Sequence, residues 1–371
     1  MILGLGSVGN YLLDYLVTNI DDPLEIAVVG RNDQKINSDV NITKVAAIIR
    51  HRFNSNIKIF SKVNFDYPEQ ISECIKNFCP DIIINSSRAY SGVKYGNISW
   101  KNVRAYGIWS PLSIKYVKNL MQACDLAESN AIVINTSYSD STIAWLKSAG
   151  KSYPDFGSGN LNHLIPRLKM AIGELNSIQD YWNIDVTIAT SHFHDVVISK
   201  EGQDEGIPQL IVAEYNGSVL EYDIKKALSK CSITMPVDAK RNMMNASSNF
   251  EIIKAIFDAV KNGKKVKFHS PGAFGEIGGY PVIIDGTTDR ITTYIDEQFW
   301  SIDEMRKKNR ESIYLDGIED IRNGCLIYTD ELVKRTKSSL GFNLSKTIEF
   351  SKIEETAKQI IKEIIEKQLN N

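Results

Sequence analysis

Two histidines stand two residues apart in "TSHFHDVV", at His192 and His194, with Asp195 directly behind them. An imidazole titrates near neutral pH, so such a pair can move protons or ligate a metal. On a β-strand, residues two apart share a face, and the spacing predicts that both rings point the same way along a strand in "DVTIATSHFHDVVIS". A metal site needs further ligands, and none is evident nearby, so no metal is expected. The second chemistry-bearing stretch is "GLGSVG", with Gly4, Gly6 and Gly9 in GxGxxG spacing. It lies between the short apolar strand "MILGLG" and a helix with Val8, Leu12, Leu13 and Leu16 at helical spacing. In that setting the first glycine permits a tight turn and the second lets backbone approach a pyrophosphate. The third lets helix and strand pack closely, with the phosphate on the helix N-terminus. The residues expected to bind a dinucleotide here are Gly4, Gly6, Ser7, Val8 and Gly9.

The second strand indicates which dinucleotide. An acidic residue at its end bonds the ribose 2′-hydroxyl of NAD, but this strand ends "VVGRND". Gly30 stands at the acid's place, followed by Arg31 and Asn32, and a small residue beside a guanidinium suits a 2′-phosphate. NADP is therefore the expected cofactor, with NAD possible. Ser86 and Ser87, after the strand "PDIIINSS", complete the expected nucleotide wall.

These residues need elements to hold them. Apolar runs at "LEIAVVGRN", "NIKIFSKV", "PDIIINSS" and "AIVINTS" alternate with helical stretches, which predicts a doubly wound parallel sheet of the Rossmann type, class α/β. From about Asp180 the pattern turns to antiparallel strands, with turns at Asn216-Gly217 and Asp285-Gly286, and two helices at 246–262 and 301–316. The expected organisation is a dinucleotide-binding domain over 1–152, an α+β substrate domain over 153–350 and a C-terminal amphipathic helix over 351–371. That helix carries Ile353, Ala357, Ile360, Ile361, Ile364 and Ile365 on one stripe, which predicts packing on the body or across the two-fold axis of a homodimer.

Composition narrows the partners. A net charge of −2 over 371 residues, without basic blocks, argues against nucleic acid. No stretch has the roughly 18 apolar residues needed to span a bilayer. Five cysteines without CxxC spacing, and a start that runs directly into the glycine turn, imply a reduced cytoplasmic protein.

The order of landmarks resembles the lactate/malate dehydrogenase superfamily over roughly residues 1–320. "AIVINTSYSDSTIAWLKSAG" looks like that family's strand with an Asn at its end, here Asn135, although Thr136 replaces the usual Pro. "IPRLKMAIGEL" is similar to the helix bearing the substrate-carboxylate arginine, which the resemblance assigns to Arg167. The two histidines fall where the family places its acid/base. The resemblance thus implies an oxidoreductase working on a carbonyl/alcohol or imine/amine centre of a carboxylate-bearing substrate. One of His192 and His194 would act as proton donor, with Arg167 and Asn135 contacting substrate. The family's histidine-orienting Asp is Leu164 here, leaving Asn162 or His163 as substitutes. The aromatic stretch "SSRAYSGVKYGNISWKNVR" is expected to be the closing loop, with Lys94, Lys101 and Arg104 as substrate contacts. The "GRN" strand end also resembles saccharopine-dehydrogenase-like proteins. Two alternatives stand beside this reading: a family 4 glycosidase-like NAD/metal enzyme, on the faint likeness of "NLNH", and a non-catalytic nucleotide-sensing protein.

Overall fold

A computed structural model describes residues 1–90 and 92–370. Six parallel strands, β1 (Ile2–Leu3), β2 (Glu25–Val29), β3 (Asn56–Phe60), β4 (Ile82–Asn85), β5 (Ile132–Asn135) and β6 (Phe156–Gly157), form one sheet in the order β3-β2-β1-β4-β5-β6. The apolar runs of β1, β2, β4 and β5 are almost wholly buried, which is why these strands read as continuously apolar, whereas the edge strand β3 alternates exposed and half-buried residues. The order reverses between β1 and β4, and the loops leaving their carboxyl ends diverge there into a crevice. The expected Rossmann-type α/β class is observed. The sixth strand, two residues long, carries too short a pattern to be read from sequence.

The rest of the chain wraps this sheet with three small antiparallel sheets. One contains Asp185–Ala189, Leu210–Tyr215 and Ser218–Val219, the last two joined at Asn216 and Gly217, both at positive φ as a tight hairpin turn requires. Another pairs Lys265–Pro271 with Gly279–Asp285 and Thr292–Ile295. The third, Ile318–Arg322, Cys325–Tyr328 and Thr347–Glu349, was not expected. The helices Asn242–Asn262 and Ile302–Leu315 lie close to their expected bounds, the latter started by a capping box of Ser301 and Glu304.

Near the C-terminus, the helix Ile353–Ile360 runs through a π-helical turn at Ile361–Ile365 into Glu366–Asn370. Its isoleucines at 353, 360, 364 and 365 are buried in the core that also holds Ile114, Val117 and Met121 of the helix Ser110–Leu126. The stripe is therefore covered by its own chain and leaves no apolar face that needs a second subunit. Among the described residues no helix is long and apolar enough to cross a membrane.

Candidate active site

A cavity of about 880 Å³ opens at the crevice between β1 and β4. On one side it is lined by Gly4, Gly6, Ser7, Val8, Gly30, Arg31, Asn32, Ser86 and Ser87, all expected from the sequence to bind nucleotide. Their geometry has plain causes. Gly4 sits at φ +93, which disfavours a side chain, and its carbonyl accepts the Ser86 hydroxyl at 2.6 Å. A Cβ on Gly9 would stand 2.3 Å from that same carbonyl, so helix and turn can approach only through glycine. A Cβ on Gly6 would meet nothing within 4 Å, leaving backbone facing open cavity at the start of the helix Ser7–Asn19. This is the cradle a pyrophosphate needs, and the residues fit a dinucleotide.

At the end of β2 no carboxylate faces the cavity wall. Asp33 bonds Asn37 within its own helix, and Asn32 caps that helix by accepting from the Lys35 amide at 2.9 Å. Arg31 is exposed, and Lys35, one turn onward, joins it in lining the cavity. Lys35 was missed by the sequence reading, although its spacing four residues after Arg31 was visible.

The opposite wall carries the titratable groups. The expected strand through both histidines ends at Ala189, and His192–Glu201 is a helix. The signals for that switch lay in the sequence: Ser191 before the first turn, Asp195 within it, Lys200 in the last turn, and Gly202 in the left-handed conformation beyond. On a helix, residues two apart point to nearly opposite sides, so the expectation of a shared face is corrected. His192 lines the cavity, whereas His194 is fully buried, with Nδ1 bonded to Ser312 Oγ at 2.7 Å and Nε2 to the Asp204 carbonyl at 3.0 Å. Asp195, three residues after His192, shares its face and lines the same cavity.

The carboxylate absent at Leu164 comes from another part of the chain. Asp316, at the end of the helix Ile302–Leu315, is fully buried, and its Oδ2 lies 2.8 Å from His192 Nδ1. Asp316 also accepts from the Tyr138 hydroxyl at 2.6 Å and the Tyr106 amide at 2.7 Å. The rings of Tyr106 and Tyr138 meet the imidazole edge to face, with centroids 4.8 and 4.9 Å away. Below it, Asp140 accepts the His192 backbone N–H at 3.0 Å and the Asn160 amide at 3.1 Å. The imidazole is thus fixed in plane and tautomer: Nδ1 donates to Asp316, and Nε2 has no hydrogen-bond partner among the described residues. Burial alone would depress its pKa, but the charge and hydrogen bond of Asp316, with Asp140 and Asp195 nearby, raise it above the usual 6.5.

Asn162 and His163, expected as substitutes for that carboxylate, make no hydrogen bond to the ring. Asn162 donates to Ser248 and the His269 carbonyl, and His163 lies 3.9 Å from Asp195. No local sequence pattern could have revealed Asp316, which is 124 residues from its histidine.

Two further expected residues are placed differently. Asn135 is fully buried at the end of β5, donating to Ser137, Ser139 and Thr142 and accepting from Asn85 at 2.9 Å. It ties the ends of two strands together and is not among the residues that line the cavity. Arg167 does line it, yet it is 2% exposed and already donates to the Cys231 carbonyl at 2.8 Å and meets Met235 Sδ at 2.9 Å, leaving Nε unpartnered. Arg241 also lines the cavity, and its guanidinium has no hydrogen bond or ion pair among the described residues.

The aromatic stretch folds as the helix Gly92–Ile98 and the turn Ser99–Val103 rather than as an open loop. Arg104 is held by Glu201 and Glu205, and Lys101 does not line the cavity. The Lys94 side chain lies outside the described residues. A smaller chamber of about 140 Å³ adjoins, lined by Tyr106, Tyr138, Thr136, Ser158, Asn160 and Asn245 among others, and His192 borders both spaces. Among the described residues no group of three or more His, Cys, Asp and Glu is arranged to hold a metal ion.

Comparison with solved structures places this arrangement. The malate dehydrogenase from Aeropyrum pernix aligns with a TM-score of 0.52 at 14% identity, covering 84% of this chain and 94% of that one. This is the malate dehydrogenase fold. The 6-phospho-beta glucosidase from Thermotoga maritima, in a structure with manganese, NAD+ and glucose-6-phosphate, shares it at a TM-score of 0.50 and 11% identity, covering 97% of each chain. A lactate dehydrogenase from a Medee basin deep-sea metagenome library aligns at a TM-score of 0.48 and 13% identity over 85% of this chain and 95% of that one. At such identities the likeness to the first two establishes the fold alone. No protein-family model matches the chain, and no curated protein matches it in sequence.

Proposed function

We propose that the protein is an NADP(H)-dependent oxidoreductase that interconverts a carbonyl and an alcohol on a carboxylate-bearing substrate, with His192 as acid/base. One observation carries the reading. An imidazole with an unpartnered Nε2, held by a buried carboxylate at 2.8 Å, borders the cavity that the glycine turn opens. The nicotinamide would accept or supply hydride. Every proton in the reaction must then be handled by the protein, and His192 is built for that. When cationic, it donates from Nε2 to the oxygen that becomes the alcohol; when neutral, it withdraws that proton in the reverse direction. Asp316 stabilises the cation and fixes the tautomer in which Nε2 faces the substrate.

For the cofactor, Arg31 and Lys35 beside Gly30 support a 2′-phosphate over a free hydroxyl. For the substrate, Arg241 supports a carboxylate better than Arg167, because its whole guanidinium is free to fork two oxygens. The structural neighbour from Aeropyrum pernix is by name a dehydrogenase of a hydroxy acid, malate, which agrees with this class. His194 and Asn135 are proposed as structural. The homodimer expected from the isoleucine stripe loses that support.

The test is a panel of 2-oxo and 2-hydroxy acids monitored through the absorbance of reduced nicotinamide, with His192→Asn as the control. Turnover by the native protein and a drop of roughly 10²–10⁴-fold in the variant, with cofactor binding retained, is the expected result. Tight cofactor binding with no turnover across the panel would favour a nucleotide sensor instead.

A further inference from the structure

Beside His192 the cavity wall holds a second set of polar groups that the proton transfer above does not use. Asp195 is 4% exposed and Arg167 is 2% exposed, and both line the cavity with His163. Among the described residues the Asp195 carboxylate makes no hydrogen bond: its Oδ1 is without a partner, and its Oδ2 is 3.9 Å from His163 Nδ1, too far to count as one. Arg167 Nε and His163 Nε2 are buried and unpartnered as well. Three orphaned polar atoms on neighbouring side chains are unusual, because buried polar groups are nearly always satisfied. A lone buried carboxylate is costly to keep. The missing partner is supplied by something that enters the cavity.

We propose that Asp195, with Arg167 and His163 beside it, forms a second substrate subsite that binds a hydrogen-bond-donating group, a hydroxyl or an ammonium, on the carbon next to the one that reacts. The position follows from the helix. Asp195 is three residues after His192, so the two side chains emerge one turn apart on one face, about 5–6 Å between Cβ atoms. From origins that close together the two side chains can converge on substituents of adjacent carbons in one short chain. The type of group follows from charge. A second anion would be repelled by Asp195, whereas a donor supplies what its oxygens lack, and Arg167 Nε–H can hold the same hydroxyl from its acceptor side. The substrate class is thereby narrowed to acids with a hydroxyl or amine beside the reacting centre. Identifying that carbon rests on the oxidoreductase reading.

Binding of matched acids to the cofactor-free protein, measured by calorimetry, tests this without requiring turnover. One series is lactate, glycerate and isoserine; the other is malate, tartrate and 3-hydroxyaspartate. Within each series only the group beside the reacting carbon changes. In at least one series the hydroxyl- or ammonium-bearing acid should bind at least tenfold tighter than the parent, the order expected for a hydrogen bond to a charged group. Which of the two binds tighter identifies the donor. Asp195→Ala should abolish that preference, so that the donor-bearing acids bind the variant no tighter than their parent acid. Because it removes an unsatisfied buried carboxyl, the variant should unfold at the same temperature or higher, whereas a purely structural aspartate would lose stability. Burial raises the Asp195 carboxyl to about 6, so the preference should weaken as pH falls through that value. No preference in either series, or a preference that survives Asp195→Ala, overturns the subsite. Should donor-bearing acids bind through Asp195 while none of them turns over, the subsite stands and the oxidoreductase reading fails.

Discussion

Replacing Asp316 with Asn probes the site where its parts depend on one another most. The carboxylate is fully buried and accepts three hydrogen bonds, from His192 Nδ1, the Tyr138 hydroxyl and the Tyr106 amide. Asn preserves shape but removes the charge, and one side of its amide can only donate. If the amide nitrogen faces His192, the ring must protonate on Nε2 to accept from it, which removes the lone pair that serves as base. If it is turned away, it meets the Tyr106 N–H donor-to-donor. Charges about 4 Å apart attract by about 4 kcal/mol at an effective dielectric constant near 20. An opposite charge at this range shifts a pKa by about 1–3 units. His192 then loses its largest raising influence, and the burial that opposed it lowers the pKa below 6.5. Turnover should fall roughly 10²–10⁴-fold with cofactor affinity intact, and the pH limb of kcat/KM assigned to His192 should move down by one unit or more. A proton NMR titration of the imidazole gives the same shift without any substrate. The sign also appears in stability. The pair's native contribution is fully present below the unfolded value of 6.5 and is lost as pH rises through the raised folded value; in the variant that trend should reverse. An unmoved His192 titration in a folded variant would refute the reasoning.

Arg31→Ala should remove most of an at least tenfold preference for NADPH over NADH and leave NADH affinity nearly unchanged; equal affinities in the native protein would contradict the 2′-phosphate assignment. His194→Ala removes two hydrogen bonds, to Ser312 Oγ and to the Asp204 carbonyl, although these keep Ser191 Oγ and the Ile207 N–H as partners; it should lower stability by about 1–3 kcal/mol in denaturant titration, with kcat of the folded fraction little changed. His163 and His269 are held neutral by burial, both near 3, so the stability they confer is complete above 6.5 and declines as pH falls below it. Thermal unfolding between pH 7 and pH 4 should show a steady decline that His269→Gln makes shallower.

The parallel sheet was readable because β2, β4 and β5 are buried apolar runs, and the glycine spacing fixed where its crevice opens. The proposed nucleotide wall follows from that topology, so its residues could be named from local pattern. The proposed catalytic wall could not. "TIATSHFHDVV" is apolar enough for a strand, and alternation across it concealed the break at Thr190-Ser191 that starts the helix. Reading it as a strand paired His192 with His194 and hid the pairing with Asp195. Asn135 and Arg167 were named from resemblance, and the structure surrounds both with protein partners that no spacing rule reports. Asp316 depends on the fold bringing the end of a distant helix beneath the imidazole, and tertiary packing alone produces that contact.

The most direct test of the central claim is a crystal structure with NADP+ and a 2-hydroxy acid bound. The account predicts the nicotinamide C4 about 3–3.5 Å from the reacting carbon and His192 Nε2 within about 3 Å of its oxygen, with Arg31 and Lys35 at the 2′-phosphate. A nicotinamide ring more than about 10 Å from His192, far beyond hydrogen-bond reach of any shared substrate, would contradict it.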